Sequence, residues 1–147
     1  RYLIESMADA TRSYRYWVVS SEIDATHDKR LDELSPLTDN LIYEIIPGQA
    51  DYTVIKQSGS ALFESETSVA FNLAEMPELT SDDTVEIFQS LITSGDKSSL
   101  YYQQVCLNAG AGFLVYGQVQ SLAEGIVYAQ DVLSSGECLR FVKQYCD

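Results

Sequence analysis

Residues 41–56 read LIYEIIPGQADYTVIK. Two short runs, 41–46 and 52–56, are rich in β-branched and aromatic residues, and Pro47-Gly48-Gln49-Ala50-Asp51 lies between them. Turn-forming residues between two such runs predict a β-hairpin. Toward the N-terminus, residues 14–20 (YRYWVVS) have the same character and read as a buried strand. The polar stretch 21–30 shows no hydrophobic period and reads as a loop, ending in Leu31-Asp32-Glu33-Leu34-Ser35-Pro36. Further out, residues 2–11 place Leu3, Ile4 and Met7 on one side of a short amphipathic helix.

Toward the C-terminus the pattern changes. Residues 57–80 are rich in Ser, Glu and Thr with scattered apolar positions, a long irregular segment. Helices follow. Thr80 to Asp83 supply capping residues, Val85, Phe88, Leu91 and Ile92 form an apolar stripe, and Gly95 stops it. Residues 100–117 are apolar almost all round in their second half, which predicts a helix buried on most faces. Ser121-Leu-Ala-Glu124 is a capping box; Leu122, Ile126, Ala129 and Leu133 repeat at helical spacing, and Gly136 closes the run. A short helix covers 138–145. Strands first and helices afterwards predict one domain over 1–147, an α/β chain whose partial sheet, a central strand plus a hairpin, is backed by a C-terminal helical cluster.

Charge narrows the function. With 22 acidic and 9 basic residues the net charge is −13, which repels nucleic acid and anionic membrane surfaces. A phosphate-rich ligand would be repelled too, unless a metal ion or a basic partner intervened. Ten tyrosines suit helix–sheet seams or interfaces. Cys106, Cys138 and Cys146 make neither a disulfide framework nor a zinc site, which implies a reducing compartment, the cytoplasm or an organelle. Cys106 reads as a core hydrophobe. No run reaches the ~18 apolar residues of a membrane span, and no signal-peptide pattern opens the chain. The first residue is Arg1, which suggests a processed, truncated or incompletely recorded product. His27, the only histidine, sits in the polar loop and reads as solvated. Asn108, in an apolar helix, reads as a hydrogen-bonded structural amide.

Three segments carry a resemblance. Leu31-Asp-Glu-Leu-Ser-Pro36 resembles the G-(L/I)-D-E-(I/L)-S-P segment of anthranilate phosphoribosyltransferases. Cys106-Leu-Asn-Ala-Gly-Ala-Gly112 is similar to that family's L-L-N-A-A-A-A helix, and Ser121-Leu-Ala-Glu-Gly125 through Gly136 to its S-L-x-E-G…SG helix. Together they cover most of this chain but only the C-terminal half of a family member. The family's H-G-x-D-G is replaced by Ser20-Ser21-Glu22, an apparent insertion at 25–29, and Lys29-Arg30 before Leu31. No G-T-G-G-D-like diphosphate loop occurs in the 147 residues.

The resemblance implies a fold like the C-terminal part of the family's large domain. It also implies transfer of phosphoribosyl from phosphoribosyl diphosphate (PRPP) to anthranilate in tryptophan biosynthesis. Mg²⁺ would be the cofactor, held by Asp32 and Glu33 together with PRPP, and no catalytic residue falls within this stretch. In an acidic chain a bridging metal is what lets carboxylates and phosphates share a site. Read on spacing alone, Asp32-Glu33 is an ordinary solvated doublet. Two functions therefore stand: the C-terminal portion of such an enzyme, inactive alone, or a non-catalytic structural or interaction subunit derived from the family. Either implies a partner, the N-terminal half or another subunit, and a sheet cut in half implies self-association or a covered seam near residues 14–20.

Overall fold

The structure is a computed structural model, and it describes residues 14–24, 29–49, 51–63, 78–93 and 95–146. The helix expected over 2–11 and His27 lie outside these residues. The chain divides into two compact units, Arg1–Glu64 and Ser65–Asp147. The first contains strands and the second helices, so the fold is mixed α/β as expected.

In the first unit, strands β1 (Tyr16–Asp24), β2 (Lys29–Leu31), β3 (Asp39–Ile45) and β4 (Thr53–Ser58) form one sheet in the order β2-β1-β3-β4. Every ladder is antiparallel. The expected hairpin is β3–β4, with Ile42 opposite Ile55. Its turn closes with the Gln49 N–H donating to the Ile46 carbonyl at 3.1 Å, and Gly48 takes φ 81° behind Pro47. That positive φ suits glycine.

The polar stretch 21–30 is not simply a loop. Ser21–Asp24 extend β1 and pair with β2, Ser21 opposite Leu31 and Glu22 opposite Arg30, with a bulge between Glu22 and Asp24. Polar residues can sit there because the ladder needs only backbone groups. An exposed Arg30–Glu22 ion pair at 3.9 Å adds little. Along β1, residues 16–21 pair with β3, and residues 21–24 pair with β2.

One buried acid ties β1 to β3. Glu44, opposite Trp17, is 8 % exposed. Its Oε1 accepts from Trp17 Nε1 at 2.8 Å and from Arg15 Nε at 2.9 Å and Nη2 at 2.5 Å. Burial alone would raise its pKa; hydrogen bonds from Trp17 and Arg15, and the guanidinium charge, outweigh burial and hold it below the ordinary value of 4.5. A depressed carboxyl stabilises the folded state above its unfolded pKa, and that contribution is lost as pH falls through the folded value. Glu44→Gln is therefore expected to cost about 1–2 kcal/mol at neutral pH. Urea melts between neutral and acid pH should show the gap from the parent chain closing as the acid is protonated. A gap that ignores pH would refute the assignment.

The second unit contains α1 (Ser81–Thr93), α2 (Leu100–Tyr116), α3 (Leu122–Ser134) and α4 (Glu137–Cys146). Thr80 and Asp83 cap α1 reciprocally: the Asp83 N–H donates to Thr80 Oγ1 at 3.2 Å, and the Thr80 N–H to Asp83 Oδ2 at 2.9 Å. Ser121 caps α3 through the Glu124 N–H at 3.1 Å. The return bond to Glu124 comes from the Gln120 N–H, one residue earlier than a standard box.

Helix α2 is buried on one face rather than on most. Tyr102, Cys106, Leu107, Gly110, Ala111 and Leu114 are buried, whereas Val105 and Tyr116 are exposed. Burial pushes the Cys106 thiol up to about 11, against smaller opposing effects of a Tyr102 hydrogen bond and Lys97, so it is an unreactive core residue. Asn108 Nδ2 donates to the Gln104 carbonyl of its own helix at 3.0 Å, a structural amide as expected.

Helices α2 and α3 cross in backbone contact. A Cβ at Gly110 would lie 2.7 Å from Gly125 C and Ile126 N, and one at Gly125 would meet the Gly110 backbone. Two glycines thus bring together two of the segments that carried the family resemblance. Among the described residues, no helix is long and apolar enough to cross a membrane.

Candidate functional site: a clamped acidic bend

Asp32 and Glu33 form an exposed bend between β2 and β3. The chain then dives inward, with Leu34 and Ser35 1 % exposed and Pro36 also buried. This change of environment within three residues presents two carboxylates to solvent while anchoring the segment behind them.

The anchor is Asn40, at the start of β3 and 2 % exposed. Its Oδ1 accepts from the Ser35 N–H at 2.7 Å and lies 2.6 Å from Ser21 Oγ. Its Nδ2 faces the carbonyls of Ser35 at 2.9 Å and of Thr38 and Gln57 at 3.2 Å. Ser21, fully buried in β1, also places its Oγ against the Glu33 carbonyl, so its single hydroxyl hydrogen is shared between that oxygen and Asn40 Oδ1. Gly59 closes the base of the loop: its N–H donates to the Thr38 carbonyl at 3.0 Å, and a Cβ there would lie 2.8 Å from Pro36 C and Thr38 O. A buried side chain that satisfies several backbone groups of an irregular loop takes the place of a ladder.

Reading for hydrophobic pattern passed over Asn40, Ser21 and Gly59. The only available signal was an amide opening an apolar strand, where Asn is disfavoured. Asp32 and Glu33, by contrast, stand adjacent and exposed at the bend. Their hard oxygens suit Mg²⁺, which is commonly held by one or two carboxylates together with substrate phosphates and retained waters. The pair fits that partial share of a shell. No group of three or more His, Cys, Asp or Glu able to hold a metal occurs among the described residues.

The helical unit contains a separate feature, an apolar groove of about 500 Å³ lined by residues that include Phe88, Leu91, Val105, Leu133 and Phe141. Phe88 is 47 % and Phe141 61 % exposed there.

The sequence profile described as "Glycosyl transferase family, a/b domain" matches residues 18–139, and the chain belongs to that family. Its curated relatives include the anthranilate phosphoribosyltransferase of Streptococcus mutans serotype c, 30 % identical over 113 residues, 71 % of this chain and 32 % of that protein. The Desulfotalea psychrophila enzyme of the same name is 40 % identical over 53 residues, 36 % of this chain and 15 % of its own length. The chain thus spans about a third or less of the relatives it matches. Among solved structures, a serine-to-alanine variant of the Saccharomyces cerevisiae anthranilate phosphoribosyltransferase with Mg bound superposes with a TM-score of 0.70. It is 18 % identical and covers 94 % of this chain and 36 % of that one. The shared fold is therefore that of about a third of the yeast anthranilate phosphoribosyltransferase chain.

Proposed function

We propose that this chain serves as the C-terminal portion of an anthranilate phosphoribosyltransferase-like protein, in Mg²⁺- and PRPP-dependent transfer of phosphoribosyl to anthranilate for tryptophan biosynthesis. The 147 residues alone are inactive. The observation that carries this reading is the Asp32–Glu33 bend, exposed at its tip, clamped at its base and inside the matched span of residues 18–139. Asp32 and Glu33 would hold the Mg²⁺, which neutralises charge on the departing diphosphate when bound. The chain's own task is to present those carboxylates in a fixed bend; contacts to the ribose and to anthranilate belong to the remainder of the enzyme, on the same polypeptide or another.

Two features support a partner. Among the described residues, positions 16–20 of β1 pair only with β3, which leaves their other edge open to a further strand. The exposed apolar groove likewise favours a covering surface in a reducing compartment, from that remainder or from a second copy. The same groove favours the second reading, a non-catalytic interaction subunit derived from the family.

The purified 147-residue chain, given PRPP, Mg²⁺ and anthranilate, should consume no anthranilate above blank in a fluorescence assay, since a net charge of −13 faces a polyanionic substrate with no diphosphate loop to receive it. Turnover by this material, free of host enzyme, would contradict inactivity. Co-expression with the remaining part of the S. mutans enzyme should restore turnover, and Asp32→Asn with Glu33→Gln should remove it. A stable complex that never turns over would favour the interaction subunit.

A further inference from the structure

We infer that Asn40, acting with Ser21, is the positioning residue of the Asp32–Glu33 bend. This rests on the metal-bearing reading of that bend and extends it from the two carboxylates to the groups that hold them.

The hydrogen-bond inventory makes the case. A primary amide has two donor hydrogens and a two-lone-pair acceptor. On Asn40 the acceptor receives the Ser35 N–H and faces the Ser21 hydroxyl, while Nδ2 has three carbonyls, of Ser35, Thr38 and Gln57, within 3.2 Å. An amide needing only to satisfy itself inside a sheet could use its own strand neighbours. Here both Ser35 backbone groups, two residues past Glu33, bind the same side chain. Ser21 grips the loop from the other side through the Glu33 carbonyl. Residues 33 and 35 are therefore held from both β1 and β3, and Leu34 between them is buried, 1 % exposed.

Two adjacent carboxylates repel one another, so a bend free to move would turn them apart. Fixing the backbone beneath them beforehand removes that freedom before a cation arrives. Neither Asn40 nor Ser21 touches the metal in this scheme; both are buried and act through the loop backbone.

The test uses the full 147-residue chain, isotopically labelled, with Mn²⁺ alone as a paramagnetic probe of the hard-oxygen pair. In the parent chain, broadening should centre on residues 31–35 and disappear with Asp32→Asn and Glu33→Gln. Ser21→Ala removes one oxygen and keeps the strand. It should raise amide exchange at residues 33–35 about tenfold, as expected for loss of one buried hydrogen bond. The Ile42 and Ile55 amides should change less than about twofold, and half-maximal broadening should need about fivefold more Mn²⁺. Asn40→Asp, which keeps the acceptor and loses the donors, should act in the same direction more strongly. If Asn40→Asp does not fold, Ser21→Ala decides alone. Uniform acceleration across the sheet with unchanged Mn²⁺ affinity would make both residues ordinary core groups and overturn the inference. Localised broadening in the parent that neither variant alters would overturn positioning while sparing the metal reading. Diffuse broadening in the parent chain would overturn the metal reading, and the positioning role with it.

Discussion

Gly125→Ala should destabilise the helical unit by about 3 kcal/mol or more, although alanine is the better helix former by about 1 kcal/mol. The reason is geometric. The added methyl would sit 2.9 Å from Gly110 C and 3.0 Å from Gly110 Cα, and closer still to its carbonyl oxygen. These are backbone atoms of a helix, which no rotamer change can move aside. The helices must separate, and the contacts of Leu107, Ala111, Ile126 and Ala129, all buried, loosen with them. Gly110→Ala should cost a similar amount by the mirror overlap with Gly125 C and Ile126 N at 2.7 Å. Because one separation relieves both overlaps, the double variant should lose less than the sum. Gly112 supplies the control on the same helix: nothing lies within 4 Å of its Cβ position, so Gly112→Ala should stabilise by up to about 1 kcal/mol. Chemical denaturation followed by helical circular dichroism measures all four. A Gly125→Ala chain as stable as Gly112→Ala would remove the crossing from the fold.

These glycines show where sequence reading stopped. The periodic signals were legible: the hairpin at β3–β4, the strand at β1 and the helices follow from β-branched runs, apolar stripes and capping residues. Hairpin β1–β2 was not, because polar residues can occupy a ladder whose stability lies in the backbone. Its pairing of Glu22 with Arg30 leaves no hydrophobic period to read. The contact between Gly110 and Gly125 joins two segments in the crossing of two helices, and composition carries no record of that distance. The site divides the same way. Asp32 and Glu33 were legible only through the family segment that contains them, since two acids among 22 have no signature of their own. Asn40, beside Asp39 and before an apolar run, looks locally like a turn residue. Its role depends on Ser21, Ser35 and Gln57 converging on one buried spot.

Gly59 ends that network, and Gly59→Ala tests the bend more severely than any exposed substitution. Its backbone sits at φ −65° and ψ −44°, where alanine is comfortable, so conformational strain is not the issue. Space is. The Cβ would fall on the Ser35 carbonyl and lie 2.8 Å from Pro36 C and Thr38 O, three backbone groups of the loop that Asn40 binds. The loop must lift, which breaks the 3.0 Å bond from the Gly59 N–H to the Thr38 carbonyl and draws Ser35 and Thr38 away from Asn40 Nδ2. Leaving such buried groups unpaired costs about 1–3 kcal/mol each, so a total of about 3–4 kcal/mol is expected for the strand unit. Gly48 separates the two reasons for a glycine: at φ 81° with nothing within 4 Å of its Cβ, Gly48→Ala should cost only about 1 kcal/mol of backbone strain. Thermal melts should therefore rank Gly59→Ala well below Gly48→Ala, and the Asn40 side-chain amide resonances should shift or broaden in the former alone. Equal stability of the two variants would mean that the loop yields to a methyl group at no cost. A base that soft could not hold Asp32 and Glu33 in register for a cation, and the positioning role of Asn40 would fall with it.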